Sequence, residues 1–256
     1  MSKVQLSPAD QARYDEIMCI ADTKLVLAGW HMITIPNGRA IADWNAVCGM
    51  LQAHYGHARA LYGTLSKFGL TRAEAEWDRT ALQIRSADLL DQPPVSWCDL
   101  IVSAYLVERA AATLVSAYET DADPQFAGLA AKINAETQFH FSYLKGWLSV
   151  LVTSQREELE RLAAQRMKLM LQWWGPQGGE DAPFAQKQRS LTRDQLRAAF
   201  LSDAQRDAAA CGFTLRADAA PATASWNPQT MRVSREGLPP RLFEQIRFKN
   251  TELALP

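Results

Sequence analysis

The chain has 256 residues, 48% hydrophobic and 21% charged, with 27 basic against 28 acidic side chains and a net charge of -1. That balance leaves no basic footprint for nucleic acid and no electrostatic reason to expect a membrane surface as partner. Cys19, Cys48, Cys98 and Cys211 lie far apart with no C-x-x-C among them, which argues against a disulfide framework or zinc knuckle and for a reduced, intracellular protein.

The polar N-terminal segment through Glu16 lacks the apolar core of a secretory signal. No uninterrupted apolar run of about 18 residues follows, so a soluble, cytoplasmic protein without a membrane span is expected. Ser7-Pro8-Ala9-Asp10 reads as a helix start, and the spacing of Tyr14, Ile17, Met18, Ala21, Leu25 and Ala28 predicts a helix to about Thr34. Ile35-Pro36-Asn37-Gly38 breaks it. A second helix is predicted from about Arg39 to Phe68, striped by Val47, Leu51, His54, Ala58, Leu61 and Leu65. A shorter helix, Arg72 to about Ile84, leads to a linker at Asp91-Gln92-Pro93-Pro94. A third long helix runs from about Trp97 to Tyr118, and a fourth from Pro124 to about Val152. An amphipathic helix from Ser154 to about Trp174 and a last helix capped near Thr192 and ending near Cys211-Gly212 complete the pattern.

Four long helices on short connections predict an all-α helical bundle over residues 1–212. After Thr214 the chain carries Pro221, Pro228, Pro239 and Pro240 with only short apolar runs. Residues 213–256 are therefore expected to form an extended arm packing on the bundle, with room for one hairpin. Small-residue runs at Ala110-Ala111-Ala112 and Ala130-Ala131 suit subunit packing.

Each long helix places an ionisable or metal-competent side chain on its apolar stripe. Lys24 sits with Ile17, Ile20, Leu27 and Ala28; His54 and His57 with Val47, Leu51 and Leu61. Glu108 sits with Ile101, Tyr105, Ala112 and Val115; His140 with Ile133, Glu136, Thr137, Leu144 and Trp147. Burying such groups unpaired costs about 2–7 kcal/mol even when neutral, so they must satisfy one another or bind something. A lone inward histidine is more often a hydrogen-bonded core residue than a ligand. Three of the chain's four histidines on these stripes, with a carboxylate, shift the balance toward a metal site. Lys24 pulls the other way, because a lysine beside Glu108 can fill a metal position as a buried ion pair.

The segments His54-Tyr55-Gly56-His57, Leu106-Val107-Glu108-Arg109 and Glu136-Thr137-Gln138-Phe139-His140 resemble, in order and spacing, the ligand-bearing helices of the phenylacetyl-CoA epoxidase catalytic-subunit family. The likeness continues through Trp173-Trp174-Gly175-Pro176, Thr192-Arg193-Asp194-Gln195 and Cys211-Gly212-Phe213, covering roughly residues 10–230. The resemblance implies a ferritin-like fold and a di-iron oxygenase in phenylacetate catabolism. It sets Lys24 where that family has its first-helix glutamate ligand, His54 where it has a bridging-type glutamate, and Thr137 where it has another glutamate. His57, Glu108 and His140 match ligand positions, while Glu136 stands one residue out of register, about 100° round the helix. One clear inward carboxylate does not make a standard two-iron centre.

Two functional readings follow from the resemblance. In the first, one divalent metal, iron for preference, sits on His54, His57, Glu108 and His140. Lys24 and Glu108 are then the catalytic pair, with Lys24 offering a charge or proton beside the metal. Tyr55 and Tyr105 are pocket candidates, an aromatic acyl-CoA thioester is the substrate, and a reductase is the redox partner of this monooxygenase. In the second, the protein is a non-catalytic subunit or scaffold of a multicomponent oxygenase, without a metal. Lys24 then pairs with Glu108, in a homo- or hetero-oligomer with a homologous helical subunit. Metal storage without turnover is a third reading, for which too few carboxylates remain.

Overall fold

The computed structural model describes residues 5–217, 225–234 and 236–247. Helix α1 spans Pro8–Thr34; Ser7 caps it by accepting from the Asp10 amide at 3.1 Å, with proline in its first turn. The Ile35–Asn37 turn reverses the chain into α2, Ile41–Thr64. The shorter helix closes early: α3 is Arg72–Glu76, with only 3-10 turns at Ala81–Gln83 and Asp88–Asp91 beyond it. Asp22 explains the early end. It accepts from Arg79 and from the Arg85 amide, so this stretch is drawn onto α1 as loop.

Ser96 caps α4, Trp97–Ser116. Asp123 caps α5, Pro124–Trp173. It is kinked at Gln155, whose backbone is non-helical, where the sequence predicts the boundary between two helices. After α6, Ala182–Ala185, a capping box of Thr192 and Gln195 opens α7, Arg193–Ala210. The tail contributes α8, Pro240–Ile246, and a bridge between Asn227 and Arg232. Residues 218–224, 235 and 248–256 of the expected arm lie outside the described residues, as do residues 1–4.

The chain is an all-α, ferritin-like bundle. Two helix hairpins, α1–α2 and α4–α5, lie side by side, with α1 beside α4 and α2 beside α5. The rest of the described chain packs around this square, with α3 on α2 and the Asp88–Asp91 turn on α5. Helices α6 and α8 pack on α1, and α7 packs on α4. One continuous apolar core runs from Ile17 and Ile101 out to Leu238, Leu242 and Ile246. The stretch Pro8–Asn37 is long and apolar enough to cross a membrane, but 89% of its apolar window is buried within the fold. That is the composition of a helix enclosed on all sides. Ala110, Ala111, Ala112 and Ala130 are buried in the core, whereas Ala131 is exposed.

Candidate functional site

Lys24, His54, Glu108 and His140 come from α1, α2, α4 and α5 and meet at the centre of the square, each at most 5% exposed. Helical periodicity dictates this: each sits on its helix's inward stripe. Glu108 is the hub. The Lys24 ammonium donates to its Oε2, and His140 Nδ1 lies 2.5 Å from its Oε1. His54 Nε2 stands 3.6 Å from the same Oε1. Ligand atoms of His54, Glu108 and His140 all fall within 4.8 Å of one another.

His57 behaves differently. Its Nε2 pairs with Glu136 Oε2 at 2.7 Å, at the edge of the core, and Glu136 remains 42% exposed. The register argument places Glu136 off the inward stripe, and so it is; its length lets it reach back to His57. Thr137 is fully buried and satisfied on its own helix, donating to the Ile133 carbonyl at 2.8 Å. Of the pocket candidates, Tyr105 is spent in the core, donating to Asp207 at 2.8 Å and packed edge-on to Phe141. Tyr55 is half-buried against the core.

The fourth histidine joins the cluster without having been singled out by sequence. His31, one turn from the end of α1 and 1% exposed, stacks on His54 with ring centroids 5.2 Å apart and planes at 11°. It lies seven residues after Lys24, two helical turns along the same face, so the periodicity that selected Lys24 marks it too. All four imidazoles of the chain therefore gather around Glu108. Neither ring nitrogen of His31 or His54 has a hydrogen-bond partner among the described residues.

Charge in this cluster is set by burial against one carboxylate. Burial outweighs the attraction of Glu108 and holds His31 down at about 4 and His54 well below its ordinary range. Burial and the Lys24 charge hold His57 at about 4 despite its bond to Glu136. For Glu108 burial works toward protonation, but Lys24, His54 and His140 overcome it and keep the carboxyl ionised well below the usual range. With Glu108 ionised, His140 Nδ1–H donates to it. The centre at neutral pH is thus one anion, one ammonium and neutral imidazoles at 31, 54 and 57.

Two metal ions do not fit this donor set. Both oxygens of Glu108, the carboxylate of this cluster, are engaged, one by Lys24, and Thr137 is turned to its own backbone. Two divalent ions would bring a charge of four against that single carboxylate, and an uncompensated buried charge costs several kcal/mol per ion even after relaxation.

A family model described as phenylacetic acid catabolic protein matches residues 2–230. No curated protein matches the chain.

Proposed function

We propose that this chain, which belongs to the phenylacetic acid catabolic protein family, serves as a non-catalytic helical subunit of an oxygenase acting on an aromatic acyl-CoA thioester. The observation that supports this reading is the buried Lys24–Glu108 pair. In a carboxylate-bridged bundle, metal ions tie the helices together through their ligands. Here Glu108 does the tying: its bond to Lys24 pins α1 to α4, and its bond to His140 pins α5 to α4. The core keeps its cross-links and gives up the charge that a redox metal would bring. A catalytic homologue and its reductase would then carry the chemistry, with this chain supporting them.

A second reading has one specific observation in its favour. His54 presents two unpartnered, uncharged nitrogens beside Glu108 and His140, and neutral imidazole is what a divalent cation requires. One metal ion on His54, Glu108 and His140, with His57 turning in from Glu136, would make the protein an oxygenase in its own right. Bound there, the metal would supply a Lewis acid and redox centre. Lys24 would have to release Glu108 Oε2 and stand as a charge beside it.

Metal analysis of freshly purified protein decides between them. The subunit reading expects well under one iron, zinc or manganese per chain, and a melting temperature that chelator does not move. One metal per chain, lost in His54→Ala and in His140→Ala and accompanied by chelator-sensitive melting, would overturn it in favour of the single-metal site.

A further inference from the structure

Among the described residues the most deeply buried carboxylates are all ion-paired: Asp22 with Arg79, Asp99 with Arg166, Glu16 with Arg189 and Glu108 with Lys24. Three of these partners are guanidiniums, which keep their proton in any protein interior and do not act as nucleophiles. The fourth is a primary amine. Lys24 is the only buried lysine among the described residues; Lys67, Lys132, Lys168 and Lys187 are exposed and Lys145 is half-buried. A desolvated lysine gives up its proton readily and is then a good nucleophile. The carboxyl group facing it is the electrophile with which an amine forms an amide.

The surroundings of the pair suit that step. The Lys24 side chain is 0% exposed and that of Glu108 1%, so both charges are held out of water at a desolvation cost that neutralisation removes. The Lys24 nitrogen is hydrogen-bonded to Glu108 Oε2, next to the carbon it would attack. His140 Nδ1–H donates to the other oxygen, Oε1, at 2.5 Å, where negative charge collects when a nucleophile adds to the carboxyl carbon. His54 Nε2 stands 3.6 Å from Oε1 and has no hydrogen-bond partner among the described residues, so it is free to carry a proton. Lys67 and Asp123 also touch, but at 53% and 26% exposure water keeps both ionised.

We propose that Lys24 and Glu108 condense into an intramolecular amide, an isopeptide bond that ties α1 to α4 covalently. One ammonium proton passes to Oε2 along the existing hydrogen bond, which leaves an amine facing a carboxylic acid. The amine nitrogen adds to the carboxyl carbon of Glu108, and the charge that develops on Oε1 rests on His140. A second proton moves from nitrogen to the Oε2 hydroxyl, with His54 as relay. The bond from carbon to Oε2 then breaks and one water leaves, while the new C–N bond and the last nitrogen-bound proton remain as the amide. Atoms and charge balance without oxidant, metal or co-reactant. Groups fixed in contact react at effective concentrations on the order of 10⁵ M or more, so a sparse neutral pair suffices over the life of the chain. The product replaces two buried charges with one neutral group. Its carbonyl oxygen keeps the His140 donor, and its N–H has the unpartnered His54 nitrogen beside it. The proposal rests on the metal-free subunit reading, since it makes covalent the tie between α1 and α4.

The test is the intact mass of the purified, denatured full chain, followed by trypsin digestion. The expected mass is one water below that of the 28.5 kDa sequence, after allowance for the initiator methionine. Digestion should release a branched peptide in which residues 14–39, uncut at Lys24, are joined to residues 86–109. Lys24→Arg keeps the charge and cannot condense, so its chain should have its full sequence mass and give no branched peptide. In His140→Phe, with the fold checked by circular dichroism, the linked form should accumulate roughly a hundredfold more slowly. A wild-type chain that keeps its full sequence mass after days at room temperature overturns the proposal. A loss of one water that persists in Lys24→Arg overturns it as well. The two readings fail separately: an unlinked, metal-free chain overturns the cross-link and leaves the subunit reading standing, whereas one bound metal per chain overturns the subunit reading.

Discussion

Helices α1 and α4 have almost no free side, whereas α2 and α5 each have one. Of the 27 residues of α1, 19 are buried, and of the 20 of α4, 17; α2 buries only eight of 24. The enclosed pair is rich in charge nonetheless. Asp22 receives a two-pronged bond from Arg79 and another from Tyr62. Asp99 receives one from Arg166, and Glu16 is held by Arg189 and Tyr118. Glu108 is held by Lys24 and His140. The open pair differs in where its charges sit: on α5, Arg156, Glu157, Glu158 and Arg161 are exposed, while α2 has a mostly uncharged exposed side and burial holds its His54 and His57 neutral. Enclosure forces every charge to have a partner, because a lone buried charge costs more than folding leaves to spare. Where a face is open that constraint lapses, and exposed charges such as Glu157 and Glu158 of α5 are solvated by water.

The sharpest way to break this contrast is to remove the hub of the enclosed pair. Glu108→Ala strands the Lys24 ammonium and leaves His140 unpartnered in a dry core, and should cost about 3–5 kcal/mol of unfolding free energy in a denaturant titration. Adding Lys24→Met to it removes the stranded charge and should recover a large part of the loss. A Glu108→Ala variant as stable as the wild type would mean that the pair holds nothing together, and the subunit reading would lose its support.

The second test uses acid. His31 is held at about 4, against an ordinary 6.5, because burial disfavours its charged form. The unfolded chain therefore takes up a proton near pH 6.5 that the folded chain refuses until about pH 4. The folded state has its full stability above that window and loses it as pH falls through it, by about 3 kcal/mol for a shift of this size. His57, also held at about 4, acts in the same direction. In urea titrations from pH 7 down to pH 4, His31→Leu should give a visibly shallower acid limb than the wild type. Parallel limbs would mean that His31 is already charged in the fold.

How far the sequence discloses this arrangement depends on what each residue's position is fixed by. Lys24, His54, Glu108 and His140 are set by helical period alone, so a stripe drawn on paper brings them together. His31 obeys the same period, seven residues after Lys24, but lies outside the motif spacings that pick out the other three histidines. Glu136 was placed correctly off the stripe, but the reach of a long side chain across to α2 is not a periodic property. The early end of α3 is likewise a tertiary effect, since only the fold reveals that Asp22 draws Arg79 and the Arg85 amide onto α1.

The smallest expected effect sharpens the comparison on the open side. Gly56 has no neighbour for an added methyl group and sits within a helix, so Gly56→Ala should raise monomer stability by about 0.5–1 kcal/mol through backbone entropy and helix propensity. The measurement is a urea titration of the full chain beside wild type. On the enclosed side, Ala111→Gly should cost more than Gly56→Ala gains, because it removes a buried methyl group as well as helix propensity. Effects of equal size and opposite sign would show that the enclosure of Ala111 adds nothing to its helix propensity.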